Sequence, residues 1–462
     1  MKSVFCFSRS RRHGAALALV LWISLGLAGM ALYFGHDMLF EYRASANLLG
    51  IYQAERILEG AQCYISTVLK NRETAGILPI LNNEYYADDV RVGNEGAFWI
   101  VGRANTAETA RTVTYGLTDE ASKLNLNTAT QEMLELLPNM TTELAAAIID
   151  WRDSDSDATD NGAESDTYSR KEPAYQCKNA SFETPEELHL VNGATLDLLY
   201  GEDSNFNGIL DPWEDDSNET LPADNGNGEL EPGLLEYLTV WSREPTTGSD
   251  GSTARTDING SDAQQALTTL LTEKISEERA SAIIQAAGVG TTQFTSLLQF
   301  CSLGKITAAE YFKIHTEITL GTAERKGLVN VNTASAAVLA CIPGIGETYA
   351  QKLVSYRAGL KSTTNSGSTS SSDSSETGLP WVLNVLDGEN ALKAGPYLTD
   401  QSWQISADVV AIGENGRGMR RAFMVFDATA TTPKLIYQRD RTAWGWPLSS
   451  EVRTQLESSS NN

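Results

Sequence analysis

Twenty consecutive residues without a charge, Ala15 to Phe34 (AALALVLWISLGLAGMALYF), constrain this chain more than any other feature. As a helix rising 1.5 Å per residue, they span roughly 30 Å, the thickness of a bilayer core. A secretory signal peptide has a shorter apolar region followed by a small-x-small cleavage site. Here the run passes instead into GHDMLFEYRASANLLGIYQAERILEGAQ. In that stretch Leu48, Leu49, Tyr52, Ile57 and Leu58 alternate at helical spacing with Glu41, Arg43, Glu55, Arg56 and Glu59. The pattern predicts one helix over 15–62, apolar first and amphipathic later. Lys2, Arg9, Arg11 and Arg12 precede the span. They place that end in the cytoplasm and the bulk of the chain outside the inner membrane.

The remainder is acidic. The 462 residues hold 35 Lys+Arg against 60 Asp+Glu, a formal net charge of −25. Such a surface disfavours nucleic acid and anionic lipid, and it suits cations, basic partners or plain solubility. The five cysteines, Cys6, Cys63, Cys177, Cys301 and Cys341, have no metal-ligand spacing, and there are only four histidines. A zinc centre is therefore not expected, and no disulfide pairing follows from the sequence.

Two β-rich segments flank a long helical one. Gly96 to Ser122 reads as two short strands with a turn near Asn105. SWQISADVVAIGENGRGMRRAFMVFDA reads as a hairpin turning at Gly413 to Gly418, and KLIYQRDRTAW adds a strand. Residues 120–360 are mostly helical with acidic loops. Lys361 to Gly378 is Ser-rich and too poor in apolar residues to pack, so a mobile loop is expected.

Within the helical part, LNLNTATQEMLELLPNMTTELAAAIIDWR (Leu124 to Arg152) aligns without a gap with VNVNTASAAVLACIPGIGETYAQKLVSYR (Val329 to Arg357). Asn127-Thr128-Ala129 matches Asn332-Thr333-Ala334, and each Asn-Thr is suited to cap the helix that follows. The second copy resembles a helix-hairpin-helix, whose Gly344 and Gly346 let a phosphate approach the backbone, with Lys352 and Arg357 as contacts. The first copy reads Pro138-Asn139-Met140-Thr141 and has lost both glycines. Glu347 follows the hairpin where a phosphate binder favours a base. The repeat reads as a packing unit, with a membrane-anchored DNA-binding protein as the alternative.

DSNFNGILDPWE (Asp203 to Glu214) fits the twelve-residue calcium loop. Asp203, Asn205 and Asn207 supply oxygens at positions 1, 3 and 5, and Gly208 permits the turn. Ile209 offers its carbonyl, Leu210 anchors the loop, and Asp211 and Glu214 stand at positions 9 and 12. A solvated Asx-rich turn is the competing reading. ADNGNGELE (Ala223 to Glu231) echoes the loop imperfectly, with Asn225, Asn227, Gly228 and Glu231. Asp153, Asp155 and Asp157 alternate in DSDSDATDNGAESD, where no glycine sits sixth, so a solvated loop fits equally well. No catalytic set stands out, His189 reads as an ordinary core-edge residue, and an enzyme is not expected.

The junction Arg11-Arg12-His13-Gly14 before the apolar run resembles a type IV prepilin leader. The resemblance implies peptidase cleavage between Gly14 and Ala15. Most such chains carry Glu at the fifth mature position, which here is Leu19. RRHGAALALVLW, DEASKLNLNTA, AAAIIDWRDSD followed by GAE, ETPEELHLV and VNVNTASAAVL with its PGIG hairpin together resemble the general secretion pathway protein K family, the minor pseudopilins of type II secretion. That family lacks the glutamate at the fifth mature position.

The resemblance implies an α+β fold, with the N-terminal helix on a small antiparallel pilin-like sheet interrupted by a large α-helical domain. The layout is a leader over 1–14, the helix over 15–62, first strands over 63–120 and the inserted domain over 121–360. The Ser-rich loop over 361–378, C-terminal strands over 379–445 and a polar tail over 446–462 follow. It further implies structural calcium and a place in the bacterial inner membrane with the bulk in the periplasm. The implied partners are the I and J minor pseudopilins, the major pseudopilin and a prepilin peptidase.

Overall fold

The computed structural model describes residues 13–81, 85–93, 96–103, 113–219, 221–364 and 378–459. Leader residues 1–12, the expected turn near Asn105 and most of the Ser-rich stretch lie outside these.

Helix α1 (His13–Lys70) runs eight residues past the expected end at 62. It is long and apolar enough to cross a membrane. From Ala16 to Leu49 no described side chain is buried. Burial begins one turn later than the amphipathic pattern suggests, so Leu48, Leu49 and Tyr52 remain exposed. Ala54, Ile57, Leu58, Ala61, Ile65, Val68 and Leu69 then repeat at three- and four-residue spacing and are buried. Each Ile or Leu so buried contributes about 1.5–3 kcal/mol.

This half of α1 packs on an antiparallel sheet of β1 (Val90–Val92), β2 (Gly96–Val101), β12 (Gln404–Gly413), β13 (Met419–Asp427) and β14 (Lys434–Asp440), in that order. β3 (Thr118–Asp119) also pairs with β12. β12 is buried along its whole length because both faces are covered. Ile405, Ala407, Val409 and Ala411 point to α1, while Val410 and Ile412 join Trp99 and Leu448 on the other side. The register that sets Val101 opposite Asp408 thus joins strands on either side of the helical part.

That part holds three tandem repeats, one more than the sequence alignment showed. The first opens with β4 (Leu124–Asn125) and closes with β5 (Leu238–Thr239), paired in parallel. Between them lie α2 (Gln131–Glu135), α3 (Thr142–Arg152), α4 (Ser165–Tyr168) and α5 (Leu196–Tyr200). The second opens with β7 (Thr256–Asp257), runs through α6 (Ala263–Lys274), α7 (Glu277–Ala287), α8 (Leu297–Gly304) and α9 (Ala308–Phe312), and closes with β8 (Ile318–Thr319). The third is the copy with the glycine hairpin. It contains β10 (Val329–Asn330), α10 (Ala336–Ala340), α11 (Gly346–Thr364), α12 (Gly388–Ala394) and β11 (Leu398–Thr399). β6 (Arg243–Glu244) and β9 (Arg325–Lys326) pair between repeats, and α13 (Ser450–Ser459) ends the described chain. The backbone of Lys361 to Thr364 continues α11, where a mobile loop was expected.

The repeated Asn-Thr does not cap helices. Thr130 and Ser335 do so, accepting the N–H groups of Met133 and Val338. Asn127 instead pairs with the backbone of Phe182, and Asn259 pairs identically with Phe294. Asn332 Oδ1 accepts Trp381 Nε1 at 2.9 Å. In each repeat this asparagine holds the later half against the first helix pair, and one continuous apolar core unites all three.

Candidate functional site

The twelve-residue acidic loop follows α5 and lies against the sheet. Asp203, Asn205, Asn207 and Glu214 are all buried. Asp203 Oδ1 accepts the N–H of Asn207, and Oδ2 accepts the N–H of Gly208 at 3.0 Å. Asn205 and Asn207 each turn Nδ2 to Asp211 Oδ2, at 2.8 and 2.9 Å. Glu214 closes the loop, with Oε1 accepting from Ser204 and Oε2 from the N–H of Asp211. Burial pushes its carboxyl up to about 7. Ile209 and Phe206 are the buried apolar anchors, whereas Leu210, the expected anchor, is only half-buried. Hydrogen bonds thus link Asp203 to Asn207, Asn205 and Asn207 to Asp211, and Asp211 to Glu214 within the loop.

Two arginines hold this loop to the sheet. Arg421, fully buried on β13, donates to the carbonyls of Asn205 and Phe206 and pairs with Asp408 through Nε and Nη2, both at 2.8 Å. Arg103, just past β2, reaches Asp203 Oδ2 at 3.0 Å and Glu236 Oε2 at 3.3 Å. Sequence reasoning missed both, because neither is near the loop in the chain. The echo of the loop folds similarly, with Asn225 and Asn227 both donating Nδ2 to Glu231. Asp224 is not part of that convergence and takes backbone N–H groups of residues 216 to 218 and 226.

A second acidic centre lies beyond α3. Carboxylate oxygens of Asp153, Asp155 and Glu164 fall within 4.8 Å of one another. Asp157, the third alternating aspartate, is absent from this group and gives its N–H to Asp155 Oδ1. Asp150, fully buried beside them, spends Oδ1 on Thr159 and leaves Oδ2 without a partner. Asp153 Oδ1, Glu164 Oε1 and Asn179 Oδ1 are likewise buried without a hydrogen bond. A Cβ on Gly162 would fall 2.0 Å from Asp150 Oδ2, so only glycine leaves that oxygen its space. Burial, then the neighbouring aspartates, raise the Asp153 carboxyl. Burial raises that of Glu164. Buried acceptors facing one another without donors suit a hard cation. The separation of Glu164 from the aspartates, across TDNGA, hid it from a pattern search.

The helix-hairpin-helix glycines are placed differently. Gly344, at φ +85°, is covered by α12, and a Cβ there would lie 2.8 Å from the Asn390 carbonyl. Gly346 is open. Arg357, expected as a phosphate contact, is buried and donates to the Val331 carbonyl at 2.9 Å. Arg152 does the same for Leu126 in the first repeat. Lys352 lies over the Tyr349 ring. His189 Nε2 is 3.0 Å from the Tyr200 hydroxyl. Cys63, Cys177, Cys301 and Cys341 are free thiols.

Comparison with known families places these features. Residues 115–200, which hold the second acidic centre, match the family model of type II secretion system (T2SS), protein K. The resemblance to that family is therefore shown over this segment. Residues 324–364 match the helix-hairpin-helix motif. No curated protein matches the sequence. Among solved structures, one from the crystal structure of the GspK–GspI–GspJ complex of the enterotoxigenic Escherichia coli type 2 secretion system aligns at 10% identity. It covers 87% of this chain and 99% of that one, with a TM-score of 0.39.

Proposed function

We propose that this chain is a minor pseudopilin of the type II secretion system, held by α1 in the bacterial inner membrane with its bulk in the periplasm. The family-model match over residues 115–200 carries this reading. The two halves of α1 support it, one apolar and uncovered, the other packed on a sheet. After cleavage between Gly14 and Ala15 by a prepilin peptidase, the helix joins a bundle with the I and J minor pseudopilins and the major pseudopilin. Leu48, Leu49 and Tyr52, exposed just before the sheet-bound part, form the packing surface. The bulk of the three repeats caps the pseudopilus at its tip, and the role is structural rather than catalytic.

Calcium is the proposed structural cofactor. Asp203, Asn205, Asn207, the Ile209 carbonyl, Asp211 and Glu214 would hold one ion. Asp153, Asp155 and Glu164, with Asp150 and Asn179 beside them, would hold another. When bound, the ions neutralise carboxylates that these loops cannot pair internally. The DNA-binding alternative loses support from the covered Gly344 and the buried Arg357.

A photocrosslinker at Tyr52 of the full chain, in cells expressing the secretion system, tests the assembly. Capture of another pseudopilin is expected. Capture of none, with the protein present in the membrane, would contradict it.

A further inference from the structure

We propose that Arg103 is a built-in counter-cation of the 203–214 loop, displaced from Asp203 by the incoming divalent ion and retained by Glu236. The inference rests on reading that loop as a calcium site.

Asp203, Asp211 and Glu214 stand in one loop, and among the described residues Arg103 is the cation that contacts a carboxylate of the three. Its Nη1 is 3.0 Å from Asp203 Oδ2, the oxygen that also accepts the Gly208 N–H. Asp203 stands at the first position of the loop, where a calcium ligand must turn an oxygen to the ion. A guanidinium and a divalent cation on one carboxylate repel each other, and the repulsion is strong where water is largely excluded. The Arg103 side chain is only 17% exposed.

The surroundings provide for its displacement. Arg103 Nε lies 3.3 Å from Glu236 Oε2, a carboxylate outside the loop. The guanidinium also lies over the Phe206 ring, 4.9 Å from its centroid. Losing Asp203 therefore leaves Arg103 with one anion and one aromatic face. Without the ion, Arg103 and the Arg421 clasp on the Asn205 and Phe206 carbonyls keep the loop in place. With the ion, Arg103 is a competitor that lowers affinity.

Calcium titration calorimetry on the full chain in detergent tests this, using Glu214→Gln to identify the binding event of this loop. Arg103→Met should tighten that event about tenfold. Glu236→Gln, which removes the alternative anion, should weaken it. Arg439→Met removes an equal charge from a residue that pairs with Glu186 and should change the affinity less than about twofold. Non-specific damage would weaken binding in every variant, so the opposite signs are diagnostic. An unchanged or weaker affinity in Arg103→Met would overturn the exchange while leaving the calcium loop standing. Glu214→Gln losing no binding event would overturn both.

Discussion

Asp119 and Thr333 are 214 residues apart in the chain, yet Thr333 Oγ1 donates to Asp119 Oδ2 at 2.7 Å. The same buried oxygen accepts from Asn330 and Ser402, and Oδ1 accepts the Ala121 N–H. One carboxylate therefore joins the entrance of the helical part, its third repeat and the chain leading to β12.

This joint has a pH signature. Burial raises the Asp119 carboxyl from 3.8 to about 6, so the folded state holds its proton more tightly than the unfolded chain. Its contribution to stability is full below about 4 and is lost as pH rises to about 6. Denaturant midpoints of wild type and Asp119→Asn between pH 4 and 7 check this. The variant should lose that slope, and its unmatched donors should cost about 1–3 kcal/mol at pH 7.

The Asp408–Arg421 pair carries the opposite dependence. Burial alone would raise the Asp408 carboxyl, but Arg421 and Arg441 outweigh it and bring it down to about 2. Its contribution is present above about 4 and is lost as pH falls to about 2. Arg421→Met should destabilise by about 1–3 kcal/mol, because the carbonyls of Asn205 and Phe206 lose a buried donor while Arg441 still pairs with Asp408 at 2.8 Å. It should also loosen the acidic loop, read as faster amide exchange at Asn207 and Gly208.

At the hairpin, Gly344→Ala meets the Asn390 carbonyl at a positive φ and should cost about 2–3 kcal/mol. Gly346→Ala, with open space around it, should cost only about 1 kcal/mol. Fluorescence anisotropy with duplex DNA at physiological salt should show no binding by the parent chain. Tight binding abolished by Gly346→Ala would restore the nucleic-acid reading.

Removing divalent ions with a chelator should lower the melting temperature. A ligand at one hundred times its Kd stabilises by about 2.7 kcal/mol per site. Calorimetry of Glu164→Gln and Glu214→Gln should each remove one part of the calcium-dependent stabilisation. Equal melting of the parent with and without calcium would contradict both sites.

Much of this was legible because periodicity is local. The α1 pattern, the Gly413 to Gly418 hairpin and the alignment of Leu124 to Arg152 with Val329 to Arg357 needed no distant partner. The second repeat is not visible in the sequence because Asp257-Ile258-Asn259 shares only a spacing with Asn125-Leu126-Asn127, and no Pro-Gly turn marks its hairpin. Pairings across the fold were invisible for another reason. Glu164, Arg103 and Arg421 are defined by what the fold sets beside them, and nothing in their own neighbourhoods announces it. The Asn-Thr motif reads as a cap because asparagine caps helices often, whereas here it clamps a chain many residues away.

The pseudopilin account is tested most directly by N-terminal sequencing of the full chain after co-expression with a prepilin peptidase. The account predicts a mature chain beginning at Ala15. An intact leader under a peptidase shown to be active on another prepilin would contradict it and leave α1 as a permanent membrane anchor.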